Sequence, residues 1–208
     1  VNYVLPPGVT RQTDPNQTQI TQQNEQALLM KVLNLAPSDA RAVYKNITYD
    51  MRMYKHIQMF VHAEQIIGDD SDLRDYETTV FMRIGSDHTM NYYEYEIPLK
   101  LTPAGHYTSA ERAQVWPEEN MFDFDLENLT NAKNNRNKRI RNTGESMSVP
   151  YYEYDETNKK NKITVVGNPN LGEIRTIMIG VRNQARESKN VEVWVNELRL
   201  LEFNNKGG

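Results

Sequence analysis

Residues 68–75, G-D-D-S-D-L-R-D, are rich in acidic side chains. The acidic residues are Asp69, Asp70, Asp72 and Asp75. Several carboxylate and carbonyl oxygens in one loop are what calcium requires, but the spacing here lacks the central glycine and distal glutamate of an EF-hand loop. We therefore interpret the segment as a solvated loop, with a calcium site as the alternative.

Glu64 and Glu197 offer a second possible calcium site. They end two predicted strands that we expect to be neighbours, and β-sandwich domains often hold a structural calcium at such strand ends. This argument rests on analogy between folds rather than on these residues. We therefore assign no metal ligand and expect no cofactor.

Histidine is the usual acid–base and metal-binding side chain, and the chain has four: His56, His62, His88 and His106. No H-E-x-x-H pair is present, and His56 and His62 are about 20 Å apart along one predicted strand. There is no cysteine, so thiol chemistry is excluded. Neither a G-x-S-x-G elbow nor a nucleotide-binding loop occurs. We therefore expect no catalytic residue and no enzymatic activity.

Six tyrosines could form a platform on which sugar rings stack: Tyr92, Tyr93, Tyr95, Tyr151, Tyr152 and Tyr154. We expect Tyr93 and Tyr95 in the core, whereas Tyr92 and Tyr152 are candidates for exposure. Tyrosine is common in strands, so packing in the core or at a sheet edge is the favoured interpretation. A carbohydrate-binding module acting on surface polysaccharide is the alternative.

A basic run follows, consisting of Lys133, Arg136, Lys138, Arg139 and Arg141. No acidic residue lies between Asn128 and Gly144. The run could contact phosphate, anionic lipid or an acidic partner. Interleaved asparagines and the absence of aromatic residues favour a solvated helix end.

The strongest strand signal lies at residues 191–203, V-E-V-W-V-N-E-L-R-L-L-E-F. Val191, Val193 and Val195 alternate with polar residues and a tryptophan, which is the period of a strand. The apolar positions then change parity to Leu198 and Leu200, which indicates a β-bulge. We predict a long buried strand with neighbours on both sides.

Other alternating segments predict strands at residues 27–35, 54–64, 78–84, 91–101, 149–155, 162–166 and 173–181. The first of these has apolar residues on both faces, so we expect both faces to be covered. Pro98 cannot donate to a ladder, which places its strand at an edge or ends it there. Residues 40–47 fit either a helical turn or a short strand.

One helix is predicted at about residues 118–143, with Phe122, Leu126 and Leu129 on one stripe with Lys133. Asp123 or Asn120 would cap it. Eight to ten strands and one helical excursion predict a mainly β protein, a jelly-roll β-sandwich resembling galactose-binding-like domains. We divide the chain into an extended segment and polar linker (1–25), the sandwich (26–203) and an exit tail (204–208).

Composition narrows the class of protein. The chain has 208 residues and a formal net charge of -4, which argues against a general nucleic-acid binder. No apolar run approaches the roughly 20 residues of a membrane helix. The sequence starts at Val1 rather than Met, and we expect it to be a fragment of a longer protein.

Nine stretches of unusual sequence carry a resemblance to a known family. They are V-N-Y-V-L-P-P-G-V (1–9), Q-Q-N-E-Q (22–26), D-A-R-A-V-Y-K (39–45), M-F-V-H-A-E (59–64), N-Y-Y-E-Y-E-I-P-L (91–99), V-W-P-E-E-N (115–120), V-V-G-N-P-N-L (165–171), I-M-I-G-V-R-N (177–183) and V-W-V-N-E-L-R-L (193–200). Together they run nearly from end to end and resemble the SprA family, also called Sov.

The resemblance implies one part of a very large outer-membrane β-barrel, the protein-conducting translocon of the type IX secretion system of Bacteroidetes, which also serves gliding motility. It implies as partners the rest of the barrel, a PorV-like barrel, a periplasmic plug protein and exported cargo. We expect a non-catalytic soluble domain that caps the barrel or docks a partner. We place it outside the cell, where long loops of such barrels usually lie, with the periplasm as the alternative.

Overall fold

A computed structural model describes residues 1–9, 27–69 and 72–203. Within them, four strands form one antiparallel sheet: β1 (Leu28–Leu35), β3 (Tyr54–Glu64), β6 (Phe122–Asp125) and β10 (Lys189–Phe203). Their order across the sheet is β1-β10-β3-β6. The closing strand therefore has a neighbour on each side, as predicted.

Six strands form the second antiparallel sheet: β2 (Ala40–Tyr49), β4 (Thr78–Gly85), β5 (Tyr92–Pro98), β7 (Tyr151–Tyr154), β8 (Lys162–Val166) and β9 (Ile174–Asn183). Their order is β2-β9-β4-β5-β8-β7. If the β7–β8 hairpin is left out and the other strands are renumbered in chain order, the sheets read 1-8-3-6 and 2-7-4-5. That is the strand order of a jelly roll, so the predicted mainly β sandwich is confirmed.

Two α-helices are present in the described residues, α1 (Arg112–Val115) and α2 (Leu126–Thr143). Three 3-10 turns lie at Ser109–Glu111, Glu118–Asn120 and Leu171–Glu173. Helix α2 buries Leu126, Leu129 and Ala132 in the main core. It contacts β3, β6, β7 and β8, so it continues the layer of the first sheet over the β7–β8 hairpin. Gly144, with a φ of 72°, ends it in a left-handed cap.

The predicted start of the helix at residue 118 is wrong. Residues 118–120 form a 3-10 turn, and Phe122 lies in β6, opposite Met59 of β3. The cap position of α2 is Asp125, not Asn120 or Asp123. Buried phenylalanines alternate with exposed aspartates in β6, which is a strand period that the helical stripe concealed.

The bulge predicted in the closing strand is confirmed. The register of β10 against β3 shifts between Asn196 and Arg199, and Glu197 has a positive φ of 57°. The shift reverses the face of the apolar side chains, so Val195 and Leu200 both pack on the core.

Three other predictions need correction or a choice between alternatives. One face of β1 is open, because Leu29 and Leu33 are exposed on an edge strand. Pro98 does not lie at an edge, since β5 runs between β4 and β8; it is instead the last residue of β5. The ambiguous residues 40–47 belong to strand β2.

A second, smaller apolar cluster covers the outer face of the first sheet. Val4 and Val9 pack there with Trp116 and Trp194, and the indole nitrogen of Trp116 donates to the carbonyl oxygen of Val4 at 2.6 Å. Residues 1–9 are thus attached to the sandwich. The predicted linker at residues 10–24 and the exit tail at 204–208 lie outside the described residues, and the domain boundaries stay a prediction.

Candidate functional site

Two edge strands lie side by side along one side of the sandwich. β1 is the edge of the first sheet and β2 is the edge of the second. A tight turn at residues 36–39 joins them, closed by a hydrogen bond from the Asp39 nitrogen to the Ala36 oxygen at 3.0 Å. No strand in the described residues pairs with the outer edge of either. We call this side, residues 28–35 and 40–49, the open side.

Apolar and aromatic side chains are exposed along the open side. Leu29 and Leu33 of β1 are 53% and 57% exposed, and Val43 and Tyr44 of β2 are 43% and 56% exposed. Leu28 is exposed as well. A single exposed apolar residue needs no explanation, but a group of them beside unpaired strand edges marks an interaction surface.

The open side is also basic. Lys31, Arg41 and Lys45 are the charged residues of the two strands, and neither strand contains an acidic residue. Arg41 pairs with Asp39 of the joining turn at 2.5 Å, so Lys31 and Lys45 carry the basic character of this side. Basic residues on an edge strand oppose pairing between identical copies. The same charges favour an acidic partner strand, so the surface is suited to a different polypeptide segment rather than to self-association.

On the outer face of the second sheet, charged side chains form a network in which they pair with one another. Arg83 Nε lies 2.5 Å from Glu94 Oε2, and Arg182 bridges Glu94 and Glu96 at 3.1 and 2.6 Å. Lys162 Nζ lies 2.7 Å from Glu96. These groups engage one another, so we assign the network to stability rather than to ligand binding.

The structure does not bring the acidic loop residues together. Asp69 accepts from Asn190, Asp72 from Arg74 at 2.6 Å, and Asp75 from the backbone nitrogen of Leu101 at 2.8 Å. Asp70 lies outside the described residues. Across residues 1–9, 27–69 and 72–203, no group of three His, Asp or Glu side chains is arranged to hold a metal.

Glu64 and Glu197 are also apart. The antiparallel register places Glu64, the last residue of β3, opposite Glu192 near the start of β10, whereas Glu197 lies further along β10, past the pairing of Asn196 with Phe60. Glu64 Oε2 accepts from the nitrogen of Val1 at 2.7 Å, whereas Glu197 pairs with Arg199. The expectation that the two glutamates end neighbouring strands at one place is therefore wrong.

His56 is held between two carboxylates that sequence reasoning did not connect to it. Its Nδ1 lies 2.7 Å from Asp125, and its Nε2 donates to Asp123. Burial alone would lower the pKa of His56, but the hydrogen bonds to Asp125 and Asp123 outweigh it and raise the pKa. The aspartates alternate along β6, so recognising that strand would have revealed the cluster.

His62 is fully buried in the second apolar cluster. Its Nδ1 lies 2.8 Å from the carbonyl oxygen of Val115 and 3.1 Å from the hydroxyl of Thr102. Its ring packs on Trp194 with centroids 4.1 Å apart. His62 and His56 thus lie in different environments and form no shared site.

The tyrosines divide between core and surface. Tyr93 and Tyr95 are buried as predicted. Tyr92 is buried too, since the guanidinium of Arg83 lies 4.2 Å from its ring centroid. Tyr152 and Tyr154 are exposed on β7 with their ring centroids 6.4 Å apart.

The basic run is only partly solvated. Lys138, Arg139 and Arg141 are exposed, as expected at a helix surface, and Lys133 is half-buried. Arg136 is instead one of the most deeply buried side chains of the chain. The helical period explains the difference, because Arg136 follows Leu129 and Ala132 on the face of α2 that meets the sandwich.

The described residues form a jelly-roll β-sandwich with apolar side chains exposed along the open side, whose strand edges have no partner strand among those residues. None of the helices in those residues is long and apolar enough to cross a membrane. The model of the SprA_N family, described as motility related/secretion protein, matches residues 1–208. The chain belongs to this family, as its resemblance predicted. No curated protein matches it.

Proposed function

We propose that this chain is a non-catalytic domain of an outer-membrane translocon that exports proteins through the type IX secretion system, and that it docks onto the translocon through the open side. The observation that carries the proposal is the exposure of Leu29, Leu33, Val43 and Tyr44 beside two unpaired strand edges. Membership of a motility and secretion family supports the setting.

The occupant that we propose for the open side is a strand of the remaining translocon barrel protein. An added strand satisfies the backbone groups of an edge, and alternate side chains supply specificity. Lys31 and Lys45 favour acidic residues in that strand. A PorV-like barrel, the plug protein and exported cargo are the other candidates.

Cysteine protection tests whether the open side is covered. The chain has no cysteine, so one can be placed at Leu33 and, as a matched control, at Lys159, which is exposed in the β7–β8 turn, away from β2 at the opposite side of the second sheet. Both variants are made in the protein as the cell makes it, with cysteines elsewhere removed. We expect Leu33→Cys to react with maleimide roughly tenfold more slowly than Lys159→Cys in permeabilised cells, and equally fast after denaturation.

Equal rates in the native protein would contradict docking through the open side. A functional variant complements the measurement, because Leu33→Asp places a charge where we propose apolar contact. We expect it to reduce cargo export, and we expect Lys159→Asp to leave export unchanged.

Sidedness is tested with a cysteine at Asn168, which is exposed in the turn before the last 3-10 helix. Labelling of intact cells by a membrane-impermeant maleimide would support the extracellular cap that we propose. Labelling only after permeabilisation would support the periplasmic alternative, in which plug binding or cargo entry is the better explanation.

A carbohydrate-binding module is the second candidate, favoured by the exposed rings of Tyr152 and Tyr154. The intrinsic fluorescence of Trp116 and Trp194 would report poorly on it, because both are buried under residues 1–9. Calorimetric titration with surface polysaccharide is the sharper test. Heat of binding that is lost in Tyr152→Ala would support the module, and no heat would oppose it.

A further inference from the structure

The side chain of Arg136 is buried and has no acidic partner among the described residues. It is 1% exposed on the inner face of α2. Its Nε donates to Asn137 Oδ1 at 2.9 Å, and its Nη1 donates to the carbonyl oxygens of Gly167 at 2.7 Å and Met147 at 3.4 Å. Its Nη2 has no hydrogen-bond partner among the described residues. Every partner of this guanidinium is therefore neutral.

A second cation lies one helical turn away. Lys133 Nζ donates to the carbonyl oxygen of Pro169 at 2.7 Å and forms no ion pair within the described part of the chain. Burial lowers the pKa of Lys133, and the nearby positive charge of Arg136 lowers it further. Burial also raises the pKa of Tyr93 to about 12, so this neighbouring phenol stays neutral at pH 7 and is not a counterion.

An uncompensated buried charge is costly. The effective penalty for burying an ion is several kcal/mol, and carbonyl dipoles offset only part of it. Charged side chains in protein interiors are accordingly paired or bind a ligand of opposite charge. The described residues around Arg136 do not supply that charge, which points to a ligand.

Arg136 lines a cleft between the end of α2 and the segment that leads into β7. The cleft has a volume of about 400 Å³. Arg139 and Ser146 also line it, together with apolar walls from Ile140 and Val149. Glu145 is the one acidic residue among the lining groups, and its carboxylate is engaged by Arg139 at 2.9 Å. The lining charges therefore sum to a positive value.

We propose that this cleft binds a tetrahedral oxyanion, phosphate or sulfate, with Arg136 as the principal charged donor and Ser146 as a supporting donor. A guanidinium binds such an anion through parallel N–H donors. A tetrahedral anion has more acceptor oxygens than a carboxylate, which suits donors converging from the helix and from the following segment.

The competing explanation for the burial of Arg136 is a structural role, because its hydrogen bonds connect α2 to the backbone at Gly167 and Met147. The test therefore measures binding. Purified full chain is titrated with sodium phosphate, sodium sulfate and sodium acetate in a calorimeter, and its unfolding temperature is followed in each salt at constant ionic strength. We expect saturable binding and a saturable rise in Tm for phosphate or sulfate, since a ligand that binds only the folded state stabilises it.

Two variants and a matched control show whether the response to the anion arises at the cleft. Arg136→Gln should abolish it, whereas Arg141→Gln removes the same charge from the exposed face of the same helix and should retain it. Ser146→Asp supplies a carboxylate at the cleft wall, so its affinity for phosphate should fall at least about tenfold. Ser146 is exposed, so Ser146→Asp is compatible with folding and still tests anion binding at the cleft if Arg136→Gln fails to fold.

Three results would overturn the proposal. One is the absence of a saturable response to phosphate or sulfate in the unmodified chain. Another is a response that Ser146→Asp leaves unchanged. A response to acetate as strong as that to phosphate would show that the cleft does not select a tetrahedral anion.

Discussion

The ring of Tyr95 stacks face to face on the ring of Phe124, with centroids 3.8 Å apart and planes within 2° of parallel. Tyr95 belongs to β5 and Phe124 to β6, so the pair joins the two sheets. The hydroxyl of Tyr95 donates to Asp155 at 2.7 Å and accepts from Asn161 at 3.2 Å. One side chain thus connects both sheets with the turn of the β7–β8 hairpin.

Two substitutions separate the contributions of this contact. Tyr95→Phe keeps the stack but leaves Asp155 and Asn161 without the hydroxyl, and we expect it to lower the free energy of unfolding by about 1–3 kcal/mol. Tyr95→Ala also leaves a cavity, and we expect a loss of about 3–5 kcal/mol. Urea denaturation measures both, with exposed Tyr152→Ala as the control. Equal losses for the two variants would show that stacking contributes nothing.

Gly167 and Gly144 both have positive φ angles, of 67° and 72°, but only Gly167 is crowded. A Cβ on Gly167 would lie 1.9 Å from the carbonyl oxygen of Met90, whereas a Cβ on Gly144 would meet nothing within 4 Å. We expect Gly144→Ala to cost about 1–2 kcal/mol through backbone strain alone. Gly167→Ala should cost more than about 3 kcal/mol. Thermal unfolding of both variants checks this, and similar Tm values would contradict it.

The raised pKa of His56 predicts a loss of stability at alkaline pH. Because the pKa of His56 in the folded protein lies above the ordinary value, the stability that protonated His56 contributes is complete below the ordinary pKa of histidine. It is lost as the pH rises through the native pKa. Urea denaturation between about pH 5 and 9 should show this slope, and His56→Gln should remove it. The exposed His106→Gln is the control, and a slope that persists in His56→Gln would assign it elsewhere.

The lowered pKa of Glu96 predicts a loss of stability at acidic pH. Burial raises its pKa, but Lys162, Thr79 and Arg182 outweigh burial and leave the pKa below its ordinary value. The stability that it contributes at neutral pH is therefore lost as the pH falls below the ordinary carboxyl pKa and through the native one. Glu96→Gln should cost about 3 kcal/mol at pH 7 and flatten the acid limb of the stability curve. Exposed Glu156→Gln should do neither.

The sequence predicted most strands because their two-residue alternation is local, as in β4 and β10. The prediction failed where a helical period overlapped with a strand period. Phe122 and Leu126 share a helical stripe, although Phe122 belongs to β6. The burial of Tyr92 depends on an arginine from β4, which alternation within β5 cannot reveal.

The candidate site was less predictable than the fold. Leu29 and Leu33 look like core residues until the sheet order places β1 at an edge. The isolation of Arg136 is invisible as well, because the sequence shows its charge but not the neutral carbonyls that surround it. Both features arise from contacts between segments distant in the chain.

The position of β10 between β1 and β3 has a consequence for the order in which the protein folds. A chain synthesised from its N-terminus presents β1 and β3 long before residues 189–203, the strand to which both pair, have been made. Pairing over such separations is slow, and waiting strands are prone to aggregate. β3 and β6 can pair without β10, but the first sheet is complete only after residues 189–203 have emerged, and a polypeptide that stops before residue 189 retains two strands whose shared partner is missing.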